Sequence, residues 1–117
     1  MHRTLSQTEQ TINQHFINMV RHVVMWKFKP VEGKTPKEIA EDIKEQYQSI
    51  LGLVPGLKSV EVGINRNDSA TAYDAILIEE FGSWKDLAEY KADPMRDKVA
   101  KYAEQFVDIR ARVEYER

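Results

Sequence analysis

The chain has 117 residues, with 17 basic side chains against 19 acidic ones and a formal charge of −2. That length allows one folding unit with one core, and a near-neutral charge mixed along the chain lacks the electrostatic footprint of a nucleic-acid or anionic-membrane binder. Cysteine is absent, which excludes disulfides, thiolate metal ligands and a Cys nucleophile. No apolar run approaches the roughly 18 residues that span a bilayer, and the first residues lack the apolar middle of a secretion signal. A soluble, cytoplasmic protein is expected.

Residues 1–18 are polar and differ in composition from the remainder of the chain, so they read as an N-terminal extension, with Ser6 and Glu9 spaced as a capping box before Ile12 and Phe16. "MVRHVVMWKFKP" is a strand apolar on both faces: His22, Val24, Trp26 and Phe28 share one side, Val23 and Met25 the other. In "TPKE", Thr35 is placed as a helix cap, Pro36 at the first helical position and Glu38 as the capping-box acid. Ile39, Ile43, Tyr47, Ile50 and Val54 then form one apolar stripe that ends near "GLVPG".

"LKSVEVGIN" alternates and predicts a strand with Val60, Val62 and Ile64 on its apolar face. Tyr73 to Phe81 predicts a strand buried on both sides over its middle. Ser83 caps a short helix through Trp84, Leu87 and Tyr90; Asp93 and Pro94 start a second, with Met95, Val99, Tyr102 and Phe106 as its stripe. In "VDIRARVEYE", Val107, Ile109, Ala111, Val113 and Tyr115 alternate with charged residues, predicting a last strand. Arg110 and Arg112 lie opposite its apolar face and are read by default as solvent-facing or as dimer ion pairs, with a role at the pocket mouth as the lesser alternative.

The order strand, helix, strand, strand, broken helix, strand is that of an α+β, ferredoxin-like split βαβ fold: a four-stranded antiparallel sheet with helices on one face. Val23, Met25, Ile76 and Ile78 then lie on the face away from the helices, where a monomer should turn polar. A second copy packed sheet to sheet is the expected cover, with the N-terminal arm as the alternative.

The stretches "MVRHVVMWKFK", "VPGLKSVEVGIN", "YDAILIEEFGSWKDLAEYKADP" and "VEYE" together resemble the stress responsive A/B barrel domain, or Dabb, family over about residues 19–116. The resemblance implies that residues 19–117 form one such domain, that two copies close a dimeric α/β barrel, and that each copy holds a pocket between sheet and helices. Some plant members are polyketide cyclases. Their segment matching "YKADPMR" carries a tyrosine and two histidines, and the tyrosine and the second histidine bind and deprotonate substrate. Here Tyr90 matches the tyrosine, Asp93 replaces the first histidine and Arg96 the second. Arginine stays protonated above a pH of about 12, so the cyclase base is missing.

The resemblance turns the His22 face of its strand toward the pocket, which makes His22 the remaining candidate acid/base and Tyr90 a hydrogen-bond donor. Arg96 suits an anionic group. Val24, Trp26, Tyr47, Leu77, Asp93 and Val99 complete the expected pocket, although the ordinary explanation of Asp93 is a helix cap that needs no ligand. No metal-ligand cluster or nucleotide fingerprint occurs, so no cofactor is expected. The readings left open are cofactor-free acid/base chemistry on a small organic acid, a non-enzymatic stress or ligand-binding dimer, and a cofactor-free monooxygenase of the same barrel type.

Overall fold

The computed structural model describes residues 19–117; the expected capping box and apolar pair of the N-terminal extension lie outside the described residues. Its elements in chain order are β1 (Val20–Phe28), α1 (Pro36–Ser49), β2 (Leu57–Ile64), β3 (Ala75–Phe81), α2 (Trp84–Lys91), α3 (Pro94–Glu104) and β4 (Val107–Glu116). The strands form one antiparallel sheet in the order β2-β3-β1-β4. This is the ferredoxin-like α+β arrangement that the alternation of periodicities predicts.

Register decides which residues share a face. His22 pairs with Glu79 and Glu114, Val24 with Leu77 and Arg112, Trp26 with Ala75 and Arg110. With a side-chain period of two, these residues and their neighbours at Val20, Phe28 and Phe81 all point toward the helices. Val20, Val24, Trp26, Leu77 and Phe81 are buried there in one core with Ile39, Ile43, Tyr47, Leu87 and Tyr90. Each such side chain contributes about 1.5–3 kcal/mol on full burial.

Local chemistry fixes the ends of the helices. The Thr35 hydroxyl accepts from the Glu38 amide at 3.1 Å, and the Glu38 carboxylate accepts from the Thr35 amide at 3.1 Å. Two otherwise unpaired donors of the α1 N-terminus are satisfied in this way. Thr35→Ala is expected to cost about 1 kcal/mol in urea unfolding; an unchanged midpoint would show that the cap contributes nothing. Gly56, in the turn before β2, has φ +86°, and a Cβ there would lie 3.0 Å from the Asp86 side chain, so both backbone and space require glycine.

Several details depart from the sequence pattern. β3 begins at Ala75 and not at Tyr73. The β1–β4 pairing shifts register between Lys27 and Phe28, and Asp74 serves that irregularity instead, its carboxylate accepting from the Phe28 amide at 2.7 Å. Trp84 and Met95, in the first turns of their helices, are exposed at 46% and 43% instead of joining the core, and the Trp84 indole donates to Glu116 at 2.6 Å. On β4 the expected inner and outer faces are exchanged: Ile109, Val113 and Tyr115 are exposed, while Arg110 and Arg112 share the helix-side face with Trp26 and Val24.

Candidate active site

The site grows from the centre of β1. His22 is 2% exposed, and its Nδ1 lies 2.7 Å from Glu114 Oε2 on β4. A carboxylate can only accept, so Nδ1 carries the hydrogen and Nε2 keeps its lone pair. Glu114 is itself gripped by the Lys91 ammonium at 2.6 Å. Partial burial alone raises the Glu114 pKa, but hydrogen bonds from Lys91 and His22 outweigh it and hold the carboxyl below its ordinary range. For His22, burial dominates and lowers the pKa, against the opposing hydrogen bond to Glu114. The imidazole is therefore oriented, and neutral at pH 7 with its lone pair at Nε2.

On the other side of His22 stands Glu79, fully buried on β3, with Oε1 4.0 Å from His22 Nε2. The Tyr90 hydroxyl donates to Glu79 Oε2, and Glu79 Oε1 has no partner among the described residues. Burial pushes the Glu79 carboxyl up to about 7, against the opposing pull of the Tyr90 hydrogen bond and the Arg96 charge. Burial also raises the pKa of both Tyr90 and Tyr47. Both hydroxyls accordingly stay protonated and do not act as bases, and that of Tyr90 is a donor.

Arg96, in the first turn of α3, is not paired with either nearby acid. Asp93 accepts from the Met95 and Arg96 amides at 2.8 and 3.4 Å, while Asp97 pairs with Lys101 at 3.0 Å. The Arg96 guanidinium lies 5.6 Å from the Tyr90 ring centre, and its buried Nε is without a hydrogen-bond partner among the described residues. His22 and Arg96 border a cavity of about 30 Å³. His22, Val24, Trp26 and Leu77 form its floor, Tyr47, Arg96 and Glu104 its roof, and Arg110 and Arg112 its side. That volume takes a water or two and falls well short of the several hundred Å³ of a preformed ligand pocket. Its wall is also markedly more charged than the apolar pocket expected, because β4 carries Arg110 and Arg112, both still exposed, on the helix-side face at the sheet edge.

A family match gives this geometry its context. The family model for the stress responsive A/B barrel domain, Dabb, matches residues 20–117. The chain belongs to this family. No curated protein matches the Dabb chain. Among solved structures it is similar to a dimeric protein of unknown function and ferredoxin-like fold from Bacteroides fragilis, at 25% identity and a TM-score of 0.75, covering 85% of this chain and 96% of that one. It is also similar in fold to the hydroxynitrile lyase of Passiflora edulis, at 18% identity and a TM-score of 0.72, covering 86% and 94%. The third is SnoaB, a cofactor-independent oxygenase of Streptomyces nogalater, at 12% identity and a TM-score of 0.65, covering 84% and 91%. Relatives so different in activity establish the shared fold and no common reaction.

Of the residues expected at the Dabb pocket, His22, Val24, Trp26, Tyr47, Leu77 and Arg96 line the cavity. Tyr90, Asp93 and Val99 do not: the Tyr90 hydroxyl is used on Glu79, Asp93 caps α3, and Val99 is buried in the core. Glu79 and Glu114 are the groups that sequence reasoning missed. Parity could have found Glu79, since it shares a strand face with Leu77 and Phe81. Among the described residues no metal-binding cluster occurs, and no helix is long and apolar enough to cross a membrane.

Proposed function

We propose that the protein is a homodimeric A/B barrel that binds a small organic acid in the His22 cavity and exchanges a proton with it without a cofactor. The observation that carries this reading is the held imidazole: Glu114 fixes Nδ1, and His22 lines the cavity together with an Arg96 whose Nε has no partner among the described residues. In this reading Arg96 holds the carboxylate of the ligand, His22 Nε2 takes or returns the proton, and Glu114 steadies the imidazolium that forms. Glu79, close to Nε2 and able to hold a proton near neutral pH, is the second proton site. The ligand enters by moving long side chains at the mouth, since about 30 Å³ cannot receive it at rest.

That small volume favours a second reading, a structural dimer whose buried polar cluster only fixes the fold. A thermal-shift panel of small aliphatic and aromatic acids separates the two. Acid binding predicts a ligand that raises the melting temperature of the wild type and not of Arg96→Ala, and whose exchangeable C–H protons wash out in D2O only while His22 is present. If no acid at millimolar concentration shifts the wild type, the structural reading stands instead.

A further inference from the structure

The cavity wall carries more positive charge than one carboxylate neutralises. Arg96 from α3 and Arg110 and Arg112 from β4 line it, against Glu104 as its only acid among the described residues. Glu104 is already spent on Arg110, leaving Arg96 and Arg112 with no acid of their own in the wall. The acids just behind the wall form no ion pair with them among the described residues, although the Arg96 charge reaches Glu79. Glu114 is taken by Lys91 and His22, and Glu79 accepts from Tyr90 and is pushed up to about 7. Two guanidinium groups therefore border one cavity, one on α3 beside His22 and one on the exposed strand at the mouth, with no free acid in the wall they share.

We infer that the ligand of this site carries two acidic groups, one held by Arg96 beside His22 and the other by Arg112 at the mouth. This inference rests on the acid-binding reading above and adds the ligand class to it: a dicarboxylate, or a small acid bearing a phosphate-type group. A monoacid satisfies one fork of donors and leaves the guanidinium of the exposed Arg112 without an anionic partner in the wall. A dianion gives each arginine a bidentate partner and relieves their mutual repulsion. Arg110, held by Glu104, takes no part in the count.

Calorimetric titration at about pH 6.5, where dicarboxylic acids are largely ionised, tests the inference on wild type, Arg112→Gln and Arg96→Gln. The probes are succinate and malonate against propionate and acetate, with sulfate as a compact dianion. Succinate or malonate is expected to bind wild type at least about tenfold tighter than the monoacids. Arg112→Gln should erase that advantage and change propionate affinity far less than succinate affinity, while Arg96→Gln should weaken every acid. Sulfate binding tighter than the dicarboxylates, with the same dependence on Arg112, also supports two charges and makes the second group phosphate-like. Equal affinity for mono- and dicarboxylates, or a preference that survives Arg112→Gln, overturns the two-acid inference and leaves acid binding in place. Silence from every probe on all three proteins overturns both.

Discussion

Glu79→Gln is expected to be more stable than the wild type at pH 8 and close to it at pH 5, with the gap opening between these values. The glutamine keeps the volume and still accepts from Tyr90, so it mimics the protonated carboxyl. In the wild type the folded state holds the Glu79 proton up to about 7, whereas an unfolded carboxyl releases it near 4.5. As the folded value lies above the unfolded one, this group's contribution is complete below about pH 4.5 and is lost as pH rises through about 7. The shift corresponds to a loss on the order of 3 kcal/mol. Urea unfolding of both proteins from pH 5 to pH 8 measures it, because surface carboxylates common to the two cancel in the difference. A gap that does not change with pH would show that Glu79 is not a buried neutral acid in the folded protein.

His22 works in the opposite sense and shapes the curve on its acid side. Its folded pKa is lowered by burial, so its contribution is full above the ordinary histidine value of 6.5 and is lost as the pH falls below it. Below 6.5 the two slopes oppose each other; between 6.5 and about 7 the Glu79 slope acts alone. Each group also faces other charges. Lys91 and Arg96 disfavour a charged His22 and Glu114 favours one, while Arg96 and the Tyr90 hydrogen bond favour an ionised Glu79. A histidine and a carboxyl 4.0 Å apart, both almost sealed from water, are an expensive pair for a structure to keep if packing is their sole purpose.

The fold was legible where local pattern and burial coincide. Thr35, Pro36 and Glu38 mark the start of α1 through backbone chemistry that acts within four residues, and the alternation of β1 survives in its burial because the helix-facing set runs unbroken from Val20 to Phe28. The site was less legible for a physical reason. Whether Arg110 and Arg112 look to solvent or to the cavity is decided by the register of β4 on β1, including the shift at Lys27 and Phe28, and no neighbour in sequence reports that register. Glu79 was hidden by Glu80. Two adjacent acids look like a strand running out into water, whereas the strand continues and sends one inward to Tyr90 and the other to Ser59, Arg21 and Arg117 on the open face.

The exchanged faces of β4 lead to the other large effect expected, on assembly. Val23, Met25, Ile76 and Ile78 on the central strands are continued by Ala111 and Val113 on the edge strand, with Met25 37% and Val113 60% exposed. Arg21, Glu80 and Arg117 form an ion-pair group at one end of this face, Lys27 stands at the other end, and Glu61 lies beside Ile78 on the β2 edge. Such a contiguous apolar surface calls for a cover, and a stable interface needs about 800 Å² from each partner, an area that a four-stranded sheet face can supply. In the proposed homodimer Val113 packs in the apolar part of that interface, whereas in a lone subunit it faces water. Val113→Glu should therefore leave each subunit folded, with unchanged far-ultraviolet circular dichroism, while burying two unpaired carboxylates in every dimer. Light scattering at micromolar concentration is expected to report twice the subunit mass of 13.6 kDa for the wild type and the single mass for the variant. A wild type at the single mass, or a variant still at twice it, would place the partner of this face elsewhere, and the apolar side of β4 would need another occupant.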